Sequence, residues 1–304
     1  MKKIFIITVI IIVKISTILA QDVMKMFNEQ IESEGSIYLE YIKPFRDNKE
    51  IILKELANYY QNKDIQKRNM AYSIRFYIAG DNDNEMIKVV EFYTTTLVTP
   101  NNGVEGTIIS NLRNIKREYY SEKSISNLLQ ITKSDRINEY NNDLIKIMGS
   151  INLKEVMPYF IKKLSIVKKE NIMPYGNNWA MYLALAKMGD SDAIDFCAKK
   201  FQSYIKSGRS GNYIGDIIYM KNQMSIELLS SMLAYQQNIN EGDDINNNSL
   251  AMQSYTILCE LVQNLPENLR NSNKQQIFSI EKIKNMKTWI DAQPKNTIKI
   301  KEDK

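Results

Sequence analysis

Histidine is absent from the 304 residues. That absence excludes a Ser-His-Asp or Cys-His catalytic centre, a His-ligated zinc ion and any histidine acid–base step. Cysteine occurs only twice, at Cys197 and Cys259, too few for a four-thiolate metal site. Each lies on an apolar stripe, Cys197 beside Ile194 and Phe201 and Cys259 beside Tyr255 and Val262, which suits two buried small side chains. A disulfide between them stays open, because it depends on whether their Cα atoms come within about 7 Å. With 6 prolines and 11 glycines there are few helix breakers, and no low-complexity linker divides the chain, which favours one continuous helical array.

Basic excess is also scarcer than it first looks. Residues 1–20, MKKIFIITVIIIVKISTILA, have a basic start, an apolar run from Ile4 to Val13 and a small residue, Ala20, before Gln21 and Asp22. This is the pattern of a secretory signal peptide cleaved after Ala20. The apolar run is short for a membrane-spanning helix and Lys14 interrupts it, so an uncleaved anchor is the alternative. No cysteine follows the cleavage point to carry a lipid. Removing the segment takes Lys2, Lys3 and Lys14 and no acid, so the formal charge falls from +5 to +2. Nothing then suggests the basic face of a nucleic-acid binder, and the expected location is the periplasm or outside the cell.

What is present in abundance is helical pattern. Asn178 to Phe201, NWAMYLALAKMGDSDAIDFCAKKF, reads as a helix, a turn at Gly189-Asp190 and a second helix. Trp179, Leu183 and Met188 share a broad face of the first helix, and Ile194, Cys197, Ala198 and Phe201 mark the stripe of the second. Gly189 sits where a left-handed residue closes a helix, and Asp190, Ser191 and Asp192 are ready caps for the next.

Two helices cannot bury both apolar faces alone, and the unit recurs. In residues 144–164, LIKIMGSINLKEVMPYFIKKL, Gly149 is matched to Gly189 and VMPYFIKKL to AIDFCAKKF, at a period of about 37. In residues 64–93, setting Gly80 on Gly189 puts Ala71 on Ala180, Ile74 on Leu183 and Phe76 on Leu185. This unit resembles the HEAT or armadillo-like helical repeat, and Asp64, Arg68 and Ala71 resemble the Asp…Arg…Ala pattern of that family's second helix. The aligned positions in the Gly189 unit depart from it as Met173 and Asn177. The resemblance covers roughly residues 50–265 and implies an all-α fold, an α-α superhelix of antiparallel helix pairs, with a binding or scaffolding role and no shared catalytic residues.

Taken in order, residues 21–48 read as an N-terminal helical cap and residues 49–265 as HEAT-like repeats. Helices are predicted at 49–60, 64–79, 84–98, 107–119, 122–132, 135–148, 213–220, 223–235 and 249–265. A last capping helix falls within 266–292 and a polar tail, expected to be frayed, runs over 293–304.

No catalytic, cofactor or metal site stands out. Ser-x-x-Lys occurs at Ser165, Ser203 and Ser279, but without a companion Lys-Thr-Gly it reads as surface i, i+3 pairs. Asp81-Asn82-Asp83-Asn84-Glu85 resembles the start of a calcium loop, yet position six is Met86 and position twelve Phe92, so a turn with helix caps is expected. Glu241-Gly242-Asp243-Asp244 is read in the same way. The loop SGRSGNYIG is the expected contact loop, through Gly208, Arg209, Ser210, Gly211, Asn212 and Tyr213. Lys162, Lys163, Lys199 and Lys200 occupy matching repeat positions and form a candidate basic strip. Tyr72, Tyr77, Tyr182, Tyr219 and Tyr255 suit helix cores or edges, with a concave recognition face as the other use. The expected function is therefore an exported binding or scaffold protein for a protein or peptide partner, without enzymatic activity, cofactor or nucleic-acid ligand. The alternatives are a carboxylate-dependent enzyme acting on an envelope polymer and a membrane-tethered structural component.

Overall fold

The computed structural model describes residues 21–33, 35–99, 103–134, 136–140, 142–169, 174–206, 213–234, 250–270, 280–294 and 297–301. The segment read as a signal peptide lies outside them, as do Glu241 to Asp244. Among the described residues the protein is all-α, and the one β-type pairing is an isolated antiparallel bridge between Val262 and Ile300. None of these helices is long and apolar enough to cross a membrane. The chain divides into two compact units, residues 1–144 and 145–304.

In the first unit, residues 21–32 (α1) are followed by α2 (Leu39–Asp47), α3 (Lys49–Tyr59), α4 (Ile65–Ala79), α5 (Asp83–Val98), α6 (Glu105–Leu112) and α7 (Glu122–Lys133). Helix α4 starts where Asp64 accepts hydrogen bonds from the Gln66 and Lys67 amides. It stops at Gly80, whose φ of +55° suits only glycine at low cost, and a Cβ there would lie 2.5 Å from the Arg46 guanidinium. Arg46 uses that space to donate to the Tyr77 carbonyl, 3.0 Å away, near the carbonyl end of α4. Met70, Ala71, Ile74 and Ile78 of α4 join Phe27, Phe45, Ile52 and Leu56 in one core, so residues 21–48 are packed onto the first helix pair. Gln30, fully buried, secures the turn after α1: its amide donates to the Ser36 carbonyl (2.7 Å) and accepts from the Tyr38 amide (2.7 Å).

The Asp81–Glu85 stretch caps α5. Asn82 accepts from the Glu85 amide at 3.0 Å, and Asp83 accepts from the Tyr119 hydroxyl at 2.9 Å. Glu85 is buried between Lys49 (3.1 Å) and Lys88 (3.0 Å), and the Lys88 hydrogen bond, against the opposing effect of burial, holds its carboxyl below the usual range. The helix predicted over 107–119 breaks after Leu112 and resumes as a 3₁₀ turn at Arg117–Tyr119. Ser121 then caps α7.

The second unit contains the end of α8 (Asn142–Ser150), then α9 (Met157–Lys169), α10 (Gly176–Lys187), α11 (Ser191–Lys206), α12 (Ile214–Met220), α13 (Gln223–Leu233), α14 (Leu250–Leu261) and α15 (Ile280–Ala292). Helix α10 is apolar nearly all round, with Ala180, Met181, Leu183, Ala184, Leu185 and Ala186 buried, as a helix enclosed by α9, α11 and α12 must be. Gly189 closes it at φ +94°: its amide bonds the Ala186 carbonyl (3.2 Å) and that of Asp190 bonds the Leu185 carbonyl (3.0 Å), the Schellman pattern.

At the preceding turn the residue in that role is Asn152, not Gly149. Asn152 has φ +53°, and the Leu153 and Asn152 amides bond the Met148 and Gly149 carbonyls, each at 3.0 Å. Gly149 lies inside α8 and meets a different need, described below. Placing Asn152 on Gly189 restores the 37-residue offset that matches VMPYFIKKL to AIDFCAKKF.

Between α12 and α13 a second non-glycine residue at positive φ, Lys221, has φ +46°, and Asn222 with Ser225 forms a capping box for α13. Lysine is strained in that region and glycine is not. Lys221→Gly is expected to stabilise the protein by about 0.5–1 kcal/mol, seen as a higher urea midpoint at unchanged slope.

The polar tail does not fray at residues 297–301. The Gln263 amide donates to the Lys299 carbonyl at 2.7 Å, the Lys301 amide donates to the Leu261 carbonyl at 2.8 Å, and Ile298 is buried. Apolar Ile298 and Ile300 alternate with lysines there, a strand-like period that the overall polarity conceals.

Candidate functional site

The expected contact loop lies for the most part outside the described residues: Gly208, Arg209, Ser210, Gly211 and Asn212 are not described, and Tyr213 is. Tyr213 immediately precedes α12 and stacks on Tyr204 of α11, with ring centroids 4.1 Å apart and planes at 8°, and it meets Phe201 edge-on at 6.3 Å. It therefore fastens the start of α12 to α11. Burial, then the adjoining Tyr213 hydroxyl, pushes the Tyr204 phenol up.

Of the candidate strip, Lys162 and Lys199 are exposed, while Lys163 and Lys200 are half-buried. Lys200 Nζ lies 6.0 Å from the Phe196 ring centroid, so part of that positive charge is directed at an aromatic face. Helices α9 and α11, which carry the four lysines, both pack against α10. Among the five tyrosines, Tyr72 and Tyr255 are core residues, Tyr182 stacks on Phe196 at 4.1 Å, and Tyr77 is at the surface.

Helix α9 combines what the lysines alone do not show. Phe160, Leu164 and Val167, with Val156 just before the helix, recur at helical spacing and are buried. On the solvent side Tyr159, Lys162 and Ile166 run in one line at i, i+3, i+7, and Ile161 stands at the other edge. Tyr159 is 37 % exposed, Ile161 47 % and Ile166 50 %. The helix sequence MPYFIKKLSIVKK contains four lysines and no acid. An exposed leucine or isoleucine by itself is ordinary, but here Tyr159 and Ile166 line one margin of the solvent face and Ile161 the other, with Lys162 between them. The sequence signal for this face was Ile161 and Ile166, two isoleucines at positions that the stripe of Phe160, Leu164 and Val167 does not use.

A second cluster joins α8, α10 and α12. Asp216 accepts from Lys146 Nζ at 2.6 Å and from the Trp179 indole at 2.8 Å. The Tyr219 hydroxyl donates to the Lys146 carbonyl at 2.7 Å, and the Lys146 and Lys187 ammonium groups lie 5.5 and 5.3 Å from the Tyr219 ring centroid. Burial raises the Tyr219 phenol far above its ordinary range, so it acts as a fixed donor. Here every polar group is spent on another, which describes a structural joint more than a reactive centre. Sequence reasoning missed Asp216 because its partners stand 70 and 37 residues away.

Both cysteines are free thiols. Burial, with a smaller contribution from the Asp216 charge, pushes Cys197 up to about 12, so it stays a protonated, inert thiol near neutral pH. Cys259 Sγ lies 3.6 Å from the Leu269 carbonyl. Among the described residues no three of His, Cys, Asp and Glu converge as metal ligands would. No known protein family, no curated protein and no solved structure matches the chain.

Proposed function

We propose that the chain is an exported helical-repeat binding protein whose α9 surface captures an apolar, acidic peptide segment. The observation that carries this is α9 itself: Tyr159, Ile161 and Ile166 face solvent on a helix with four lysines and no acid. Such a surface complements an amphipathic segment that brings apolar anchors at helical spacing and carboxylates beside them. A HEAT-like or armadillo-like array is the architecture that goes with this reading. Within each unit, extensive packing joins helices one or two places apart, such as α4 with α5 and α6 or α10 with α11 and α12, as stacked helix pairs require. Residues 1–20 act as the leader, removed after Ala20, so the partner is met in the envelope or outside the cell.

Selection from a displayed random peptide library tests the proposal. Enriched peptides are expected to carry net negative charge and large apolar residues spaced by three or four. Ile166→Asp should weaken their binding at least tenfold, about 1.4 kcal/mol, and Lys162→Glu should shift selection toward basic peptides. Failure to enrich any acidic, apolar sequence, or equal binding by Ile166→Asp, would sink the assignment of α9.

A further inference from the structure

Residues 297–301 are held at the end of α14 differently from the helices, chiefly through their main chain. The Gln263 amide donates to the Lys299 carbonyl at 2.7 Å, and the Lys301 amide donates to the Leu261 carbonyl at 2.8 Å. The Asn264 side chain does both: its nitrogen donates to the Thr297 carbonyl (3.2 Å) and its oxygen accepts from the Lys299 amide (2.8 Å). Asn264 thus behaves as one more peptide group paired with the segment. Of the segment's side chains only that of Ile298 is enclosed, at 7 % exposed. Ile300 and Lys301 are half-buried, and Thr297 and Lys299 face solvent.

This is the chemistry of a peptide site. Main-chain bonds attach an extended backbone of any sequence, and the enclosed position selects the residue, here a branched apolar one with another two places on. Helix α10 in the same unit buries six apolar side chains, whereas this segment buries one. An element held by so little apolar contact opens locally while the helices stay folded.

The segment seated there says what the site accepts. Its sequence is Thr-Ile-Lys-Ile-Lys, and a second copy of the chain carries the same five residues. Four residues join it to the end of α15 at Ala292, and these span at most about 14 Å. Once released, the segment reaches another α14 only where two copies stand with these ends together. The exchange is then reciprocal, and each copy closes the other's site without loss of a bond.

We propose that the end of α14 is a strand-docking site closed in cis by residues 297–301, and that its occupant in trans is the same segment of a second copy. Cis and trans contacts are identical, so dimers form only as the protein approaches the effective concentration of the tethered segment, on the order of millimolar. At micromolar concentration the chain is a monomer with its site shut. This does not depend on the reading of α9.

Sedimentation equilibrium of the full chain from about 10 µM to about 2 mM is expected to pass from monomer to a substantial dimer fraction. Ile298→Asp, whose segment fits neither site, should stay monomeric throughout. The peptide QPKNTIKIKEDK, titrated by NMR, should bind the full-length Ile298→Asp protein at least tenfold more tightly than wild type, whose own segment competes. The same peptide carrying Ile298→Asp should bind neither protein. Asn264 is exposed, so Asn264→Ala keeps the core intact and supplies a check that does not need the other variant to fold. It should leave Tm unchanged and cut the hydrogen-exchange protection of the Gln263 and Lys301 amides about tenfold. A wild type that is monomeric at about 2 mM, a dimer that survives Ile298→Asp, a peptide bound equally by both proteins, or Gln263 and Lys301 amides that exchange only on global unfolding would each overturn the proposal.

Discussion

Gly149→Ala is expected to destabilise the second unit by about 2–4 kcal/mol, the opposite sign from the usual gain when alanine replaces glycine inside a helix. A Cβ on Gly149 would stand 2.2 Å from the Tyr219 hydroxyl oxygen and 2.9 Å from the Ala184 Cα. The hydroxyl is the movable partner, but moving it breaks its bond to the Lys146 carbonyl inside a largely enclosed site, and the Ala184 backbone has nowhere to go. Tyr219→Phe removes the nearer obstacle and leaves the second. The double variant should therefore recover part of the loss, giving a favourable coupling of about 1 kcal/mol in a double-mutant cycle by urea denaturation. Were Gly149→Ala neutral or stabilising, the close approach of α8, α10 and α12 would be wrong.

Asp216→Ala is the second large effect, with an expected loss of about 2–4 kcal/mol. Its side chain is 18 % exposed and that of Lys146 28 %, so the pair is mostly withdrawn from water but not sealed. Removing the carboxylate leaves the Lys146 ammonium uncompensated and strips the Trp179 indole of its acceptor, and orphaning a largely buried charge costs more than the pair itself is worth. That asymmetry supplies the check. Replacing both ends, Lys146→Met with Asp216→Leu, should cost clearly less than the sum of the two single changes. Additive losses would mean that the ion pair does not couple the helices.

The helices were legible because their signals are local. Trp179 to Phe201 announces two helices and a turn through spacing alone, and α10 and α11 lie there. Asp64, Asn82 and Ser121 each stand in the sequence before the helix they cap. What sequence could not supply was anything set by tertiary approach. Gly149 and Gly189 look alike in a string, yet one closes a helix by its φ and the other admits a tyrosine by lacking a Cβ. Asn152 is of the type that most often takes the left-handed region after glycine, but Gly149 three residues earlier drew the turn to itself, and nothing near Lys221 marks it as left-handed. Half of the α9 surface was visible as Lys162 and Lys163. The rest needed the buried stripe to be known before Tyr159, Ile161 and Ile166 could be seen to fall outside it.

Because extensive packing in each unit links helices one or two places apart, most of the structure is built from contacts of short sequence separation, the kind that forms fast. The α8–α12 joint is different in kind, since Lys146 and Asp216 meet across 70 residues and the chain entropy of that closure is met before any contact rewards it. Helix pairs come first in such a folding order, and the joint is added to them. Substitutions at Gly149 and Asp216 are therefore expected to leave the folding rate nearly unchanged and to speed unfolding instead, shortening the life of the finished protein.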